Sequence, residues 1–160
     1  MVINELLAHT TDPEPDFVEL YNHSNQSADL SGAHLTDDPA TNKFTFAGGT
    51  MLGPRTFLAL NQTQLGFALS SGGETLYLIN SNGTRVLDAI RFGAQARGVA
   101  FGRVPDGSAW WSELSTKTPG QSNSAALVRD IVINEIMYAP LSGKSDDQFV
   151  AGFLRDDKER

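Results

Sequence analysis

Turn residues interrupt this chain at short, regular intervals, and that spacing limits its fold more than any other feature. Pairs such as Asp12-Pro13, Gly53-Pro54 and Asp106-Gly107 separate short apolar segments, most of which alternate apolar with polar residues. No segment before residue 123 keeps a helical period over several turns. The sequence therefore predicts an all-β fold, an antiparallel sandwich or barrel.

The pair Asn82-Gly83 is the sharpest local signal in the chain. It lies between the apolar segments that end at Ile79 and begin at Val86. Asn-Gly readily adopts the positive φ angles that a two-residue hairpin turn requires. We therefore expect two antiparallel strands joined here by a tight turn.

Composition excludes several classes of function. The net charge of −7 opposes binding to a phosphate backbone, so we expect no nucleic-acid partner. The absence of cysteine excludes disulfides, thiolate zinc sites and a cysteine nucleophile. No apolar run approaches the roughly 20 residues of a membrane span, so we expect no membrane insertion. The first residues also lack the basic and apolar regions of a signal peptide.

The chain repeats its own beginning near its end. Residues 132–138, Val-Ile-Asn-Glu-Ile-Met-Tyr, copy residues 2–8, Val-Ile-Asn-Glu-Leu-Leu-Ala. In both copies an acidic loop containing proline then leads to Phe-Val, at Phe17 and at Phe149. We therefore predict a domain over residues 1–123, a linker over 124–130 and the truncated start of a second repeat over 131–160.

The copied strand, residues 132–138, is apolar and separated from the rest of its own domain. Its backbone groups need a sheet edge as a partner. We expect it to be ordered and to pair with another chain, either by exchange with the first strand or by addition to an exposed edge. Such pairing produces a homo-oligomer. The alternative is that it folds back onto its own domain.

Several motifs together resemble the bacterial lamin tail domain (LTD) family, an immunoglobulin-like module that also occurs in nuclear lamins. They are Val2-Ile3-Asn4-Glu5, Asp16-Phe17-Val18-Glu19-Leu20-Tyr21-Asn22, Asp29-Leu30-Ser31-Gly32, Gly102-Arg103-Val104-Pro105-Asp106-Gly107 and Thr118-Pro119-Gly120. The resemblance implies an immunoglobulin-like antiparallel β-sandwich that is non-catalytic and is often repeated within exported or surface-associated proteins. The second copy departs from the pattern, because it has Ala151-Gly152-Phe153-Leu154 where the first has Glu19-Leu20-Tyr21-Asn22.

Two carboxylates, Glu5 and Glu19, lie on adjacent predicted strands. Strict alternation places Glu5 on one face with Ile3 and Leu7. Paired carboxylates serve glycosidases, but partly buried carboxylates also serve as structural ion pairs when a cation is near. Arg103 is the expected cation. We therefore predict a structural ion pair formed by Glu5, Glu19 and Arg103, and no catalytic residue.

Acidic residues crowd the first part of the chain and include a candidate calcium loop. Asp12, Glu14 and Asp16 supply the hard oxygen atoms that Ca²⁺ prefers. However, Pro13 and Pro15 interrupt the loop, and the glycine and late glutamate of a hand-type calcium loop are missing. A solvated acidic face is the simpler interpretation, so no metal or other cofactor is expected.

Trp110 and Trp111 are adjacent, so a strand would direct one ring inward and the other outward. Trp110 aligns with a core position of the family that the chain resembles. Trp111 is therefore the expected outward ring and the candidate binding residue, able to stack on a sugar or to anchor a protein contact.

These observations favour a non-catalytic interaction or spacer module of a larger bacterial protein that is exported or surface-associated. The expected partner is a protein or a cell-surface polymer, and the expected location is extracellular or on the cell surface, with the cytoplasm as the other option. A carbohydrate-binding module is the first alternative, and a calcium-stabilised adhesion domain is the second.

Overall fold

The computed structural model describes residues 1–128 and 131–154. The chain forms two compact units, Met1–Leu127 and Val128–Arg160. The first unit thus extends past the predicted boundary at residue 123. The reason is that the Leu127 amide donates to the Glu113 carbonyl, and Leu114 and Ala126 form a β-bridge. Most of the predicted linker is therefore part of the first unit.

The first unit is an all-β sandwich, as predicted, and its immunoglobulin-like class agrees with the strand arrangement. Its strands are β1 (Val2–Leu7), β2 (Phe17–Tyr21), β3 (Ala28–Asp29), β4 (His34–Thr36), β5 (Phe44–Thr45), β6 (Met51–Leu52), β7 (Phe57–Asn61), β8 (Glu74–Ile79), β9 (Val86–Phe92), β10 (Phe101–Arg103) and β11 (Trp111–Glu113). A single short helix, α1 (Gln62–Leu65), follows β7 among the described residues.

Two larger antiparallel sheets enclose the core. The first sheet has the strand order β11-β10-β1-β2-β7 and the second has the order β5-β4-β8-β9, while β3 and β6 form a separate pair. Buried aliphatic side chains from both larger sheets meet between them: Ile3, Leu6, Val18, Leu20 and Leu60 from the first, and Leu35, Leu76 and Leu78 from the second. Burial of these side chains is the main stabilising term of the sandwich.

A β-bulge in β1 decides which side chains reach the core. The β1–β2 register shifts between Ile3 and Glu5, so that Asn4 is the extra residue. Ile3 and Leu6 consequently both face the core, whereas Glu5 lies on the outer face of the first sheet, beside Glu19 of β2. The expectation that Glu5 shares a face with Ile3 was wrong, because strict alternation does not hold across a bulge.

The predicted hairpin joins β8 to β9, but its turn is longer than expected. The Asn80 amide donates to the Arg85 carbonyl, so residues 80–85 form the loop. Gly83 has a φ of +69°, whereas Asn82 does not have a positive φ. The Asn80 side-chain oxygen accepts hydrogen bonds from the Thr84 and Arg85 amides and closes this wider loop. The Asn-Gly signal therefore located the hairpin correctly but not its turn type.

After β11 the chain crosses the outer face of the first sheet as a segment that we call the strap, residues 118–123. Gly102 of β10 lies beneath it and is paired with Glu5. A Cβ atom on Gly102 would lie 2.6 Å from Asn123 Nδ2 and 2.9 Å from Leu114 Cδ1. Only glycine therefore allows the strap to lie so close to the sheet.

The second unit contains a hairpin of β12 (Ile131–Met137) and β13 (Phe149–Leu154), with a 3-10 turn at Ser145–Asp147 between them. The copied strand, β12, pairs with β13 of the same chain, a pairing that was not predicted from the sequence. Residues 151–154 form a strand although they lack the Glu-Leu-Tyr-Asn sequence of the first copy.

The two hairpins have the same register. Ile3 pairs with Leu20 and Leu6 with Val18, and correspondingly Ile133 pairs with Gly152 and Ile136 with Val150. The bulge recurs between Ile133 and Glu135, at the same Ile-Asn-Glu sequence. The β12–β13 hairpin thus reproduces the backbone pairing of β1–β2 residue by residue.

Candidate functional site

The bulge directs two carboxylates towards the strap. Glu5 and Glu19 are cross-strand neighbours, and both have 0% solvent exposure. Glu5 accepts hydrogen bonds from the Thr118 amide at 2.9 Å and from the Thr118 hydroxyl at 2.9 Å. Glu19 accepts from the Gly120 amide at 2.6 Å. The two carboxylates therefore bind the backbone of the strap and hold it against the sheet.

Asp106 and Asn4 extend this network on both sides of the strap. The Asn4 side-chain amide donates to Glu19 Oε1 at 3.2 Å and to Asp106 Oδ1 at 2.9 Å. Asp106 Oδ1 also accepts from the Asn123 amide at 3.0 Å, and the Ser122 hydroxyl donates to Asp106 Oδ2. Glu5, Glu19 and Asp106 thus lie close together, and the groups that donate hydrogen bonds to them are uncharged amides and hydroxyls.

The surroundings of Glu5 and Glu19 favour the protonated form of both carboxyl groups. Burial raises the pKa of Glu19 to about 7, and the neighbouring charges of Glu5 and Asp106 act in the same direction. The hydrogen bonds from Gly120 and Asn4 oppose that shift. Burial also raises the pKa of Glu5, against the hydrogen bonds from Thr118 and with a contribution from Asp106. The cause is desolvation, because no cation contacts either carboxylate among the described residues.

Arg103 does not pair with Glu5 or Glu19, so the predicted ion pair was wrong. Its guanidinium contacts both oxygens of Asp88 in β9, at 3.1 and 2.9 Å. The side chain of Arg103 lies on the core side of the first sheet, whereas the two glutamates lie on the outer side. Arg103 thereby joins the two sheets instead of neutralising the carboxylates.

The Arg103–Asp88 pair also completes the hydrogen bonding of β1. Asp88 accepts from the Ile3 amide at 2.7 Å, and Arg103 Nε donates to the Ile3 carbonyl at 2.7 Å. Arg103 also donates to the Ser108 carbonyl and lies 4.9 Å from the Trp111 ring centre. Arg103 is buried and Asp88 is half-buried, so removing either partner leaves the other with a poorly solvated charge.

The arrangement of Glu5 and Glu19 does not support glycosidase chemistry. Glycosidases need two carboxyl groups that flank a substrate in a cleft. Here neither glutamate has solvent-exposed surface, and the strap covers both. Their geometry therefore supports a structural role, the attachment of the strap to the sheet.

The two tryptophans have the opposite orientations to those expected. Trp111 stacks on Phe101 with a ring separation of 5.2 Å, and it packs against the core. Trp110 is 78% exposed. The reason is the β10–β11 register, which pairs Trp111 with Arg103 and so places Trp111 on the core side of the sheet. The candidate contact residue is therefore Trp110, not Trp111.

The candidate calcium residues do not converge on one point. Asp12 is exposed, and Glu14 forms an ion pair with Lys117. Asp16 is buried and accepts from the Leu69 amide at 3.0 Å. No group of three or more His, Cys, Asp or Glu side chains with metal-binding geometry occurs within residues 1–128 and 131–154. In the same residues no helix is long and apolar enough to cross a membrane.

Comparison with known proteins identifies the fold family. The sequence model of the Lamin Tail Domain family matches residues 1–94, more than half of the chain. The chain belongs to the lamin tail domain family. Searches of curated proteins and of solved structures found no match. The match covers β1–β9 of this lamin tail domain. Strands β10 and β11, which complete its first sheet, and the strap lie beyond the matched region.

The roles of Asp88, Asp106 and Asn123 in this lamin tail domain were not predicted from the sequence. Asp88 lies in a β-strand among apolar residues, which is an unusual position for an unpaired carboxylate. The position of Asp88 among apolar strand residues therefore indicates an ion pair with a nearby cation. Asp106 lies in a Pro-Asp-Gly turn, where aspartate is common for local reasons. Nothing in the sequence indicated that its side chain binds residues 122 and 123.

Proposed function

We propose that this lamin tail domain is a non-catalytic interaction or spacer module, repeated in tandem within a larger exported or surface-associated bacterial protein. The observation that carries this proposal is the β12–β13 hairpin. It has the register of β1–β2 and repeats the bulge at Asn134. A random strand pair would not share both features, so the hairpin is best understood as the start of a second domain of the same family.

The charged side chains in and around the first sheet form hydrogen bonds within the first unit, and this supports a non-catalytic module. Glu5, Glu19 and Asp106 bind the strap, and Arg103 binds Asp88. Each of these side chains therefore has a structural task in the first unit. Membership of the lamin tail domain family supports an interaction module, since this is an immunoglobulin-like family.

The location is tested with the full-length protein in its native cells. Protease treatment of intact cells, followed by detection with an antibody against this chain, measures surface exposure. Cleavage in intact cells supports the proposal. Protection in intact cells, with cleavage only after lysis and recovery in the soluble cytoplasmic fraction, contradicts it.

Binding to a cell-surface carbohydrate is the second candidate, and the exposed Trp110 is the observation that favours it. An exposed indole ring can stack on the apolar face of a sugar. Co-sedimentation with insoluble cell-wall polysaccharide tests this function. The carbohydrate-binding function predicts that Trp110→Ala abolishes sedimentation, whereas Met51→Ala, at a second exposed apolar residue, leaves it unchanged. If wild type and both variants stay in solution, the carbohydrate function is refuted.

A further inference from the structure

Strand β7 is an open edge of the first sheet. The Asn22 amide of β2 donates to the Thr56 carbonyl, and the register continues from there, so the even-numbered residues of β7 bond to β2. The amides and carbonyls of Phe57 and Ala59 therefore point away from β2. Within the described part of the chain, β7 has no second neighbouring strand and no hydrogen bond reaches these outward groups.

This edge lacks the features that usually prevent association. Edge strands are normally protected by charged residues, prolines, shortness or a covering segment. Strand β7 has five residues, none of them charged. In contrast, β9 carries Asp88 and Arg91, β5 has only two residues, and β11 is bonded to the segment that ends at Leu127. Of these edges of the sandwich, β7 is thus the least protected.

The end of β7 limits how far this edge can pair. The peptide groups of Asn61 also point away from β2, but the Asn61 amide donates to Gln64 Oε1 at 2.9 Å, within the N-terminal cap of α1. Phe57 and Ala59 therefore carry the free groups of the edge. A second strand satisfies all of these groups when its own outward residues lie directly opposite Phe57 and Ala59.

The edge is complementary to itself. When two copies of β7 run antiparallel around a two-fold axis at Leu58, Phe57 of each copy lies opposite Ala59 of the other. Each such pair exchanges two hydrogen bonds, so the free amides and carbonyls of both edges are all used. The strand carries no charge, so no like charges meet. The register with Ala59 opposite Ala59 would instead place Phe57 opposite Asn61, whose amide is already bonded to Gln64.

The side chains fit the same register. On the outer face of the sheet, Phe57 stacks on Tyr21 with a ring separation of 4.5 Å, and Ala59 adjoins a groove of about 240 Å³ that Pro119 also lines. Directly paired residues share a face, so the large Phe57 ring of one copy meets the small Ala59 and the groove of the other. On the core face, the half-buried Leu58 side chains of the two copies meet at the axis and cover each other.

We propose that two copies of this chain associate through β7, antiparallel, with Phe57 of each copy opposite Ala59 of the other and Leu58 on the two-fold axis. The two first sheets then form one continuous sheet. The contact is closed, because each copy uses its β7 edge once, and so it stops at a dimer. It lies within the first unit, and it depends neither on the β12–β13 hairpin nor on the pairing of strand 132–138 between chains that the sequence predicts.

Disulfide formation tests the register directly, because the chain has no native cysteine. Phe57→Cys and Ala59→Cys chains, distinguishable by mass, are mixed and oxidised. Directly opposite residues lie about 5.5 Å apart between Cα atoms, a distance that a disulfide bridges. Two copies of the same residue lie diagonally, about 7–8 Å apart, which is too far for a disulfide.

We expect the mixed disulfide dimer in severalfold greater yield than chance pairing of the two chains gives. A mixture of Ala59→Cys with Met51→Cys, at an exposed residue outside β7, is the control and should stay at the chance yield. Chance yields for Phe57→Cys with Ala59→Cys, or an excess of the Ala59→Cys homodimer, would overturn the proposal.

A proline at residue 59 provides a second test that does not depend on disulfides. Proline removes the outward amide of Ala59 and no bond to β2, and edge strands tolerate proline at such positions. Light scattering should show wild type approaching twice the 17.3 kDa mass of one chain as the concentration rises. Ala59→Pro should dimerise at least about tenfold more weakly, because the contact loses two hydrogen bonds. Ala59→Ser, which keeps the amide and a small side chain, should associate like wild type.

The near-ultraviolet circular dichroism of Ala59→Pro should match that of wild type, which shows that the variant is folded. If it is not folded, the disulfide yields decide. Dimers of folded Ala59→Pro as stable as those of wild type would overturn the proposal. A wild type that stays monomeric at all concentrations would also overturn it and leave this edge to a segment of another protein.

Discussion

Replacement of Glu19 by glutamine should make the first unit more stable at alkaline pH and leave it unchanged at acid pH. Glu19 is fully buried beside Glu5, with Asp106 nearby and no cation in contact among the described residues. Glutamine keeps an oxygen that can accept from the Gly120 amide, and it has no carboxyl proton to lose. The substitution therefore removes a buried charge without removing the attachment of the strap.

The size of the effect follows from the pKa shift. Burial raises the pKa of Glu19 from 4.5 to about 7, and each pKa unit corresponds to 1.36 kcal/mol, so the full effect is about 3 kcal/mol. The folded state binds this proton more tightly than the unfolded state. The resulting stabilisation is complete below the unfolded pKa and disappears as the pH rises through about 7.

Urea unfolding followed by tryptophan fluorescence measures this difference. Both tryptophans, Trp110 and Trp111, lie in the first unit, so the signal reports on that unit. From about pH 5 to about pH 8 the free energy of unfolding of wild type should fall relative to Glu19→Gln by up to about 3 kcal/mol. The Glu14→Gln control, at a partly exposed ion pair, should follow the wild-type slope. Parallel pH profiles for wild type and Glu19→Gln would mean that the pKa of Glu19 is not raised in the folded state.

Three further experiments test other parts of the first unit by substitution. Arg103→Met leaves the half-buried Asp88 without its cation and should cost up to about 3–5 kcal/mol in urea unfolding, whereas a loss below about 1 kcal/mol would contradict a structural pair. Gly102→Ala places a Cβ atom 2.6 Å from Asn123 Nδ2 and should cost about 1–3 kcal/mol, whereas Gly48→Ala, with no atom within 4 Å, should be nearly neutral. If the two glycine variants melt alike, the strap is not packed on Gly102. Trp111→Ala should cost at least about 2 kcal/mol, because Trp111 packs on Phe101, whereas Trp110→Ala, at an exposed ring, should cost less than about 0.5 kcal/mol. The reverse order of stability in thermal melts would contradict the assigned orientations of the two rings.

The strand content of this chain could be predicted from its sequence because turn residues and alternating apolar residues act locally. The same alternation rule mispredicted the face of the sheet on which Glu5 lies. The extra residue at Asn4 reverses the faces of β1, and no residue type specifies a bulge. The rule failed again at Trp110 and Trp111, where the β10–β11 register decides which ring is buried. Register depends on long-range pairing, which composition and spacing do not reveal.

The candidate site was predicted only in part for the same reason. Glu5 and Glu19 are indeed neighbours, and their strand positions were readable from the sequence. Their donors, Thr118 and Gly120, lie about a hundred residues further along the chain and contribute mainly backbone amides. A backbone amide can come from almost any residue type, so the sequence does not show which amides bind a buried carboxylate. The prediction therefore assigned Arg103 to Glu5 and Glu19 on the basis of opposite charge. In the structure, the sheet separates that guanidinium from both carboxylates.

Amide hydrogen exchange at Thr118 and Gly120 tests whether the buried glutamates hold the strap on the sheet. If Glu5 and Glu19 accept from these amides, both should exchange as slowly as the amides of β1 and open only with the first unit as a whole. Protection at Gly120 should also decrease above about pH 7, as ionised Glu19 destabilises the unit, after correction for the intrinsic exchange rate. Exchange at the rate of an unstructured peptide, with the β1 amides still protected, would show that Glu5 and Glu19 do not hold the strap.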